Sequence, residues 1–180
     1  MSTADPWQRA EIAGPTKALV ITKPEVVVAM IKKAKRPLLI VGHEAAEIEI
    51  GDKKLLDYAI CISKTGNIPL VATAHIVGDF VKKGFQPVAA LSAVDISNRL
   101  TDPEWKGFDG KGQYDLAIYM GMTYYFENIL FSSLKHFSQN LKTISLDRYY
   151  HPNASWAFPN LPEKDWVQNL EVIISKLGGE

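Results

Sequence analysis

Two apolar runs in this sequence end on a glycine and pass into a helix-like segment. LLIVG occupies residues 38–42 and is followed by HEAAE, and DLAIYMG occupies residues 115–121. Both runs are continuously apolar instead of alternating, which is typical of parallel strands that are covered by helices on both faces. The pattern therefore favours an α/β fold.

The same alternation of apolar strand and amphipathic helix continues along the chain. Further strands are predicted at 68–73, at 87–90 and at 142–147, and further helices at about 52–64, at 124–137 and from near Pro162 to Gly178. We predict a single doubly wound α/β domain, with a mainly parallel sheet and helices on both faces. It is Rossmann-like, of the type that binds NAD or FAD.

The domain is predicted to span residues 21–180 and to follow an extended N-terminal arm at residues 1–20. The arm shows no sustained hydrophobic period and carries Pro6, Gly14 and Pro15. We expect its Trp7 to dock either on its own domain or on a partner.

Helical periodicity predicts which side chains face the core. The last helix is expected to bury Trp166, Leu170, Ile173 and Leu177. The helix at 124–137 has five apolar residues in phase, which we expect to face inward: Phe126, Ile129, Leu130, Leu134 and Phe137. Cys61, within LLDYAICIS, is expected to be a small buried residue of a helix.

Composition argues against several classes of function. Lys plus Arg and Asp plus Glu both number 20, so the formal net charge is zero and nucleic acid is not expected as a main partner. A single cysteine allows no intrachain disulfide and no cysteine-based zinc or iron–sulfur site within this chain. No apolar run reaches the roughly 18–20 residues of a membrane span, and MSTADPWQ lacks an apolar signal segment. We expect a cytoplasmic protein.

Ligands of doubly wound domains bind at the carboxyl ends of the strands, where the strand order reverses. Gly42 and Gly121 would let a backbone approach a nucleotide, helix N-termini would face its pyrophosphate, and Asp147 would accept ribose hydroxyls. The candidate cofactor-binding residues are those at the predicted strand ends: Gly42, His43, Glu44, Thr73, Ala74, His75, Gly121, Met122, Thr123, Tyr124, Asp147 and Arg148.

The details count against NAD as the ligand. The G-x-G-x-x-G fingerprint is absent after Gly42, and the second strand ends in Thr73-Ala74-His75 instead of an acidic residue. No G-x-S-x-G motif is present, and no catalytic residue is predicted. His43, His75 and His151 with Asp147 leave a metal site open as an alternative, although we expect capping and turn roles for them.

Several longer stretches resemble a known family. RPLLIVGHEA, LLDYAICISKTGNIPLVATAH, DLAIYMGMTYYFENILFSSLKHF, TISLDRYYHPNAS and FPNLPEKDW are similar to the epsilon subunit of the archaeal acetyl-CoA decarbonylase/synthase complex. The opening DPWQRAEIAGPTKA looks like the N-terminal arm of that family. More distantly, the strand segments resemble the middle domain of thiamine-diphosphate enzymes, where FAD or ADP binds.

The resemblance implies an accessory role in one-carbon metabolism related to methanogenesis. It implies that the chain binds and stabilises the large nickel–iron–sulfur alpha subunit of CO dehydrogenase, and that it has no turnover alone. It also implies FAD as a cofactor that passes on electrons from CO oxidation, bound by the strand-end residues. A free-standing nucleotide-binding oxidoreductase and a histidine-based metal protein remain the alternatives, and self-association is left open.

Overall fold

The computed structural model describes residues 14–138 and 140–179. Residues 1–13, which include Trp7 and most of the predicted arm, lie outside the described residues. The strands are β1 (Leu19–Val20), β2 (Pro37–Val41), β3 (Glu49–Ile50), β4 (Lys53–Lys54), β5 (Leu70–Ala72), β6 (Ala89–Ala90), β7 (Leu116–Met120), β8 (Lys142–Ser145) and β9 (Trp156–Ala157). The helices are α1 (Pro24–Lys33), α2 (Leu55–Gly66), α3 (Val77–Lys82), α4 (Ala93–Thr101), α5 (Tyr124–Phe137) and α6 (Glu163–Gly178).

Seven of these strands form one sheet, in the order β1-β9-β8-β7-β2-β5-β6, and all its pairings are parallel. From β2 the chain moves outward through β5 to β6, then returns to the other side of β2 and continues through β7, β8 and β9. This is the Rossmann-type order, and its reversal lies between β2 and β7. The predicted fold class is confirmed.

Alternation along the strands divides the core into two layers. Leu39 and Val41 of β2 pack on one face of the sheet, in the cluster that holds the buried residues of α1, α2 and α6. Leu38 and Ile40 pack on the other face with α4 and α5. The inward residues predicted for α6 are correct, and the indole Nε1–H of Trp166 donates to the Leu146 carbonyl at 2.7 Å.

Several elements differ from the predictions because of long-range pairing. The helix predicted from about residue 52 starts at Leu55, because residues 49–54 form the antiparallel hairpin β3–β4 around Gly51. β9 lies between the predicted strand at 142–147 and the last predicted helix, where no strand was predicted, and it pairs with both β8 and β1. Leu19–Val20, the end of the predicted arm, is thereby an edge strand of the sheet.

The predicted burial of Cys61 is wrong, although Cys61 does lie in a helix. Its side chain is exposed, because the inward face of α2 is taken by residues such as Leu55, Leu56, Ala59 and Ile62. A residue two positions after Ala59 is rotated about 200° around the helix and points to the solvent.

The bounds of α5 match the prediction, but its buried face does not. Leu130 and Leu134 are buried as expected, whereas Phe126, Ile129 and Phe137 are 40%, 65% and 70% exposed. The polar side chains of Glu127 and Asn128 occupy the inward face instead. Separately, no helix among residues 14–138 and 140–179 is both long and apolar enough to cross a membrane.

Candidate functional site

The carboxyl ends of β2 and β7 meet at the point where the strand order reverses. The N–H of Gly42 donates to the carbonyl of Met120 at 2.9 Å, so the two strands remain paired to their last residues. A turn of 3₁₀ helix at His43–Ala46 follows β2, and α5 starts three residues after Gly121. Another 3₁₀ turn follows β5 at Ala74–Ile76. The predicted strand-end segments therefore come together at one edge of the sheet.

These segments enclose one side of a cleft of about 510 Å³. Its lining includes six of the predicted residues: Gly42, His43, Thr73, His75, Met122 and Thr123. Ala74 lies in the chain between Thr73 and His75.

The cleft has three further lining residues that were not predicted from the sequence: Ser92, Ala93 and Phe126. Ser92 is the N-cap of α4, and its hydroxyl accepts a hydrogen bond from the Asp95 N–H at 3.1 Å. A serine directly after a predicted strand is a recognisable helix-start signal, so this part of the wall could have been found. Phe126 was missed because it was assigned to the core.

The two glycines at the cleft are required by packing between the strands. A Cβ atom on Gly42 would lie 2.3 Å from the Gly121 carbonyl oxygen and 2.4 Å from Cγ of Met122. Gly121 has φ of +71°, in the left-handed region, and a Cβ there would lie 2.7 Å from Ala45. The close approach that glycine permits here is between β2 and β7 themselves, whether or not a ligand is also bound.

The backbone of the turn after β7, where Met122 lines the cleft, holds the side chain of Asp147. Its carboxylate accepts the N–H of Gly121 at 2.8 Å and the N–H of Met122 at 3.3 Å. Burial raises the pKa of Asp147, while Glu127 and these two N–H groups oppose that rise. The carboxylate that we predicted for ribose hydroxyls therefore already fixes the loop that forms the cleft wall.

Glu127 of α5 is fully buried beside Asp147. Burial, together with the charge of the neighbouring Asp147, raises the pKa of Glu127 well above its usual range. Neither carboxyl oxygen of Glu127 has a hydrogen-bond partner of good geometry. A fully buried carboxyl next to a half-buried one cannot ionise cheaply together with it, so the pair retains one proton. The proton resides on Glu127, because backbone N–H groups stabilise the ionised form of Asp147.

His151 contacts Glu127. Its Nε2 lies 3.3 Å from Oε2 of Glu127, and its ring stacks on Tyr124 at 4.4 Å between centroids. Burial lowers the pKa of His151 to about 3. Because His151 is neutral and Glu127 is protonated, their contact is one between uncharged groups and not a salt bridge.

Besides Ala74, Gly121 and Asp147, three more predicted residues lie outside the cleft lining. Glu44 is half-buried on the 3₁₀ turn and adds negative charge near Glu127 and Asp147. Tyr124 donates its hydroxyl hydrogen to the Tyr150 carbonyl at 3.0 Å. Arg148 pairs with Glu163 at 3.7 Å. These contacts place all three in the support of the cleft or on the neighbouring surface.

The arrangement gives little support to metal chemistry. His43 and His75 line the cleft, whereas His151 is buried against Glu127 and Tyr124. Within the part of the chain that the structure describes, no group of three or more His, Cys, Asp or Glu side chains is placed to hold a metal ion. The cleft is instead a mainly apolar surface whose lining includes three hydroxyl-bearing residues, Thr73, Ser92 and Thr123.

Comparison with known proteins identifies the family. Residues 1–174 match the family described as CO dehydrogenase beta subunit/acetyl-CoA synthase epsilon subunit. The chain is 39% identical over 166 residues to the acetyl-CoA decarbonylase/synthase complex subunit epsilon of Methanothermobacter thermautotrophicus, covering 92% of each chain. It is 44% identical over 157 residues to the subunit epsilon of Methanothrix soehngenii, covering 87% of this chain and 81% of the relative.

A third relative, subunit epsilon 1 of Methanosarcina barkeri, is 41% identical over 154 residues, which is 86% of each chain. All these relatives are from archaea, which fits the archaeal origin expected from the resemblance. The chain belongs to the CO dehydrogenase beta subunit/acetyl-CoA synthase epsilon subunit family.

Proposed function

We propose that this chain is the accessory epsilon subunit that binds the nickel–iron–sulfur alpha subunit of CO dehydrogenase within the acetyl-CoA decarbonylase/synthase complex. It acts in the cytoplasm, stabilises the alpha subunit and has no turnover of its own. It also holds FAD in the cleft at the carboxyl ends of β2, β5 and β7. Family membership supports the place in a multi-subunit complex, since the relatives are named as subunits of it.

The cleft between Gly42, Thr73 and Phe126 is the observation that carries the cofactor part. It lies at the reversal of strand order, where doubly wound domains bind nucleotides. Its apolar lining suits a flat aromatic ring. The hydroxyl oxygen of Thr73 is buried at the cleft without a hydrogen-bond partner, so it is available to a polar edge of that ring.

The diphosphate of FAD has fewer partners than the ring system. The residues that line the cleft include no lysine or arginine. Phosphate binding there depends on backbone N–H groups, for example those of the first turn of α5, which Thr123 leaves without a side-chain cap. When bound, FAD would accept the electrons that CO oxidation releases and pass them on. The contribution of the chain is to bind the ring and shield it from water.

Titration of FAD and ADP into the purified chain tests this proposal. We expect quenching of flavin fluorescence and a calorimetric signal for FAD, both strengthened when the alpha subunit is present. Thr73→Val should weaken FAD binding by about tenfold, the effect of one lost hydrogen bond. Thr123→Trp should block the cleft, whereas Val88→Trp, which replaces an exposed residue next to β6, should bind normally. If neither nucleotide binds, alone or in the complex, the cofactor part of the proposal fails.

A further inference from the structure

The outer face of α5 carries a row of large apolar side chains. Tyr125, Phe126, Ile129 and Phe137 are 63%, 40%, 65% and 70% exposed. Their spacing along the helix places them on the side that faces away from the sheet. We call these four residues the α5 stripe. Isolated exposed apolar residues are common on protein surfaces, but four large exposed aromatic and aliphatic side chains on one helix are not.

The α5 stripe also lacks charged neighbours along the helix. Between Tyr125 and Phe137 the other outward positions are Ser132, Ser133 and His136. The two charged residues of α5 point elsewhere: Glu127 is buried, and Lys135 donates to the Thr16 carbonyl. The exposed side of α6, in contrast, carries Glu163, Lys164, Glu171 and Lys176. Aromatic enrichment and depletion of charge are the features that distinguish the centre of a protein–protein interface from ordinary surface.

The area of the stripe indicates how large its partner is. At about 150–250 Å² for a fully exposed aromatic side chain, the four partly exposed residues present on the order of 400 Å². A stable interface buries about 800 Å² on each side. A second copy packed through α5 alone would therefore bury too little. The partner has to extend beyond this helix.

Resting on the proposed function, we propose that the α5 stripe is the surface that docks onto the alpha subunit. The matching surface on that subunit is apolar and uncharged, because the stripe offers no charge for an ion pair. Phe126 belongs both to the stripe and to the lining of the cleft. The docked subunit therefore covers the side of the cleft that α5 forms.

The experiment compares the affinity of the purified alpha subunit for four forms of the full chain, measured by calorimetry under anaerobic conditions. The stripe variant Ile129→Lys/Phe137→Ser should bind at least about 30-fold more weakly than the wild type, as expected for the loss of central interface residues. Val81→Lys is the matched control: Val81 is 52% exposed on α3, and the change should alter affinity less than about twofold. Tyr125→Lys is a second, independent stripe variant. Thermal melting checks that all four forms are folded.

The outcomes separate the two proposals. If the wild type does not bind the alpha subunit, the proposed function fails and this inference fails with it. If the wild type binds and both stripe variants bind equally well, the docking surface is elsewhere and only the inference is overturned. Sedimentation of the chain alone provides a further test of the inference. If the chain forms a dimer that the stripe substitutions abolish, while binding of the alpha subunit is unchanged, the α5 stripe is a contact between copies and the inference is overturned.

Discussion

At the scale of single residues, Gly42 shows how little space separates β2 from β7. A methyl group at this position would lie 2.3 Å from the Gly121 carbonyl oxygen, which is backbone and cannot rotate away. We expect Gly42→Ala to lower the free energy of unfolding by about 2–3 kcal/mol, through strain in a tightly packed region. Denaturant unfolding measures this.

Gly78 provides the control for that substitution. It lies in α3, and no atom would come within 4 Å of a Cβ placed on it. Gly78→Ala should therefore be neutral or should stabilise the protein by up to about 1 kcal/mol, because alanine is the better helix former. Equal stability of the two variants would show that β2 and β7 can move apart without cost.

Glu127 gives a second prediction at this scale, because its buried carboxyl keeps a proton in the folded state. A raised pKa means that the folded protein binds more protons than the unfolded chain once the pH exceeds the ordinary Glu value of 4.5. Stability from this group is therefore lost as the pH rises. Glu127→Gln removes that loss and retains a donor toward Asp147, so it should stabilise the protein at pH 7.5 by roughly 1–3 kcal/mol.

Chemical denaturation of both proteins at pH 5 and pH 7.5 tests this expectation. The gain from Glu127→Gln should be larger at the higher pH. Glu49→Gln, at an exposed position on β3, should leave stability unchanged at both values. A variant that is less stable than the wild type at pH 7.5 would mean that the ionised carboxylate of Glu127 contributes to the fold.

At the scale of secondary-structure elements, α5 shows what a sequence pattern can and cannot determine. Its bounds, Tyr124–Phe137, follow from local signals and were predicted correctly. Its buried face was not predicted correctly. Apolar side chains lie on both sides of the helix, and helical periodicity does not show which side faces the core. The choice depends on partners far away in the chain: Asp147 and His151 lie beside Glu127, and the Asn153 amide donates to Asn128 at 3.2 Å. No pattern near α5 in the sequence indicates these contacts.

The end of α2 carries a prediction at the same scale. The helix closes at Asn67, which has φ of 49° and is the one described residue other than glycine with a positive φ. Asparagine tolerates this left-handed conformation better than residues with larger or branched side chains, and glycine adopts it without strain. Asn67→Ala should cost about 1 kcal/mol, whereas Asn67→Gly should be neutral or slightly stabilising. Thermal melting of the two variants distinguishes them, and identical melting temperatures would contradict a role of backbone conformation here.

At the scale of the whole molecule, the fold class was the most predictable property. Continuous apolar strands that alternate with helices leave few arrangements other than a doubly wound sheet, and this sheet places the predicted strand ends together. The edge pairing of β1 with β9 could not be predicted, because each strand has only two residues and becomes a strand only through its partner. The cleft was located by the same logic, but whether FAD binds there depends on chemistry that strand order does not specify.

Two buried groups, His151 and Glu127, should also determine how the stability of the whole domain responds to pH, because their pKa values are shifted in opposite directions. His151, with a pKa lowered to about 3, makes the unfolded chain bind more protons below pH 6.5, so its contribution to stability is lost as the pH falls. Glu127 acts in the opposite direction above pH 4.5. Between pH 4.5 and 6.5 the two effects offset each other, and the wild type should show a shallow dependence of unfolding free energy on pH.

Removing either group should leave the effect of the other on stability uncompensated. Two variants therefore test this balance. His151→Phe retains a ring that can stack on Tyr124, and it should become more stable as the pH falls from 6.5 to 4.5. Glu127→Gln should become less stable over the same interval, by up to about 3 kcal/mol for one titrating histidine. The measurement is the unfolding free energy of the three proteins at half-unit steps of pH. Parallel curves for the wild type and both variants would show that neither buried group is linked to folding, because a linked group must change the slope where its unfolded form titrates.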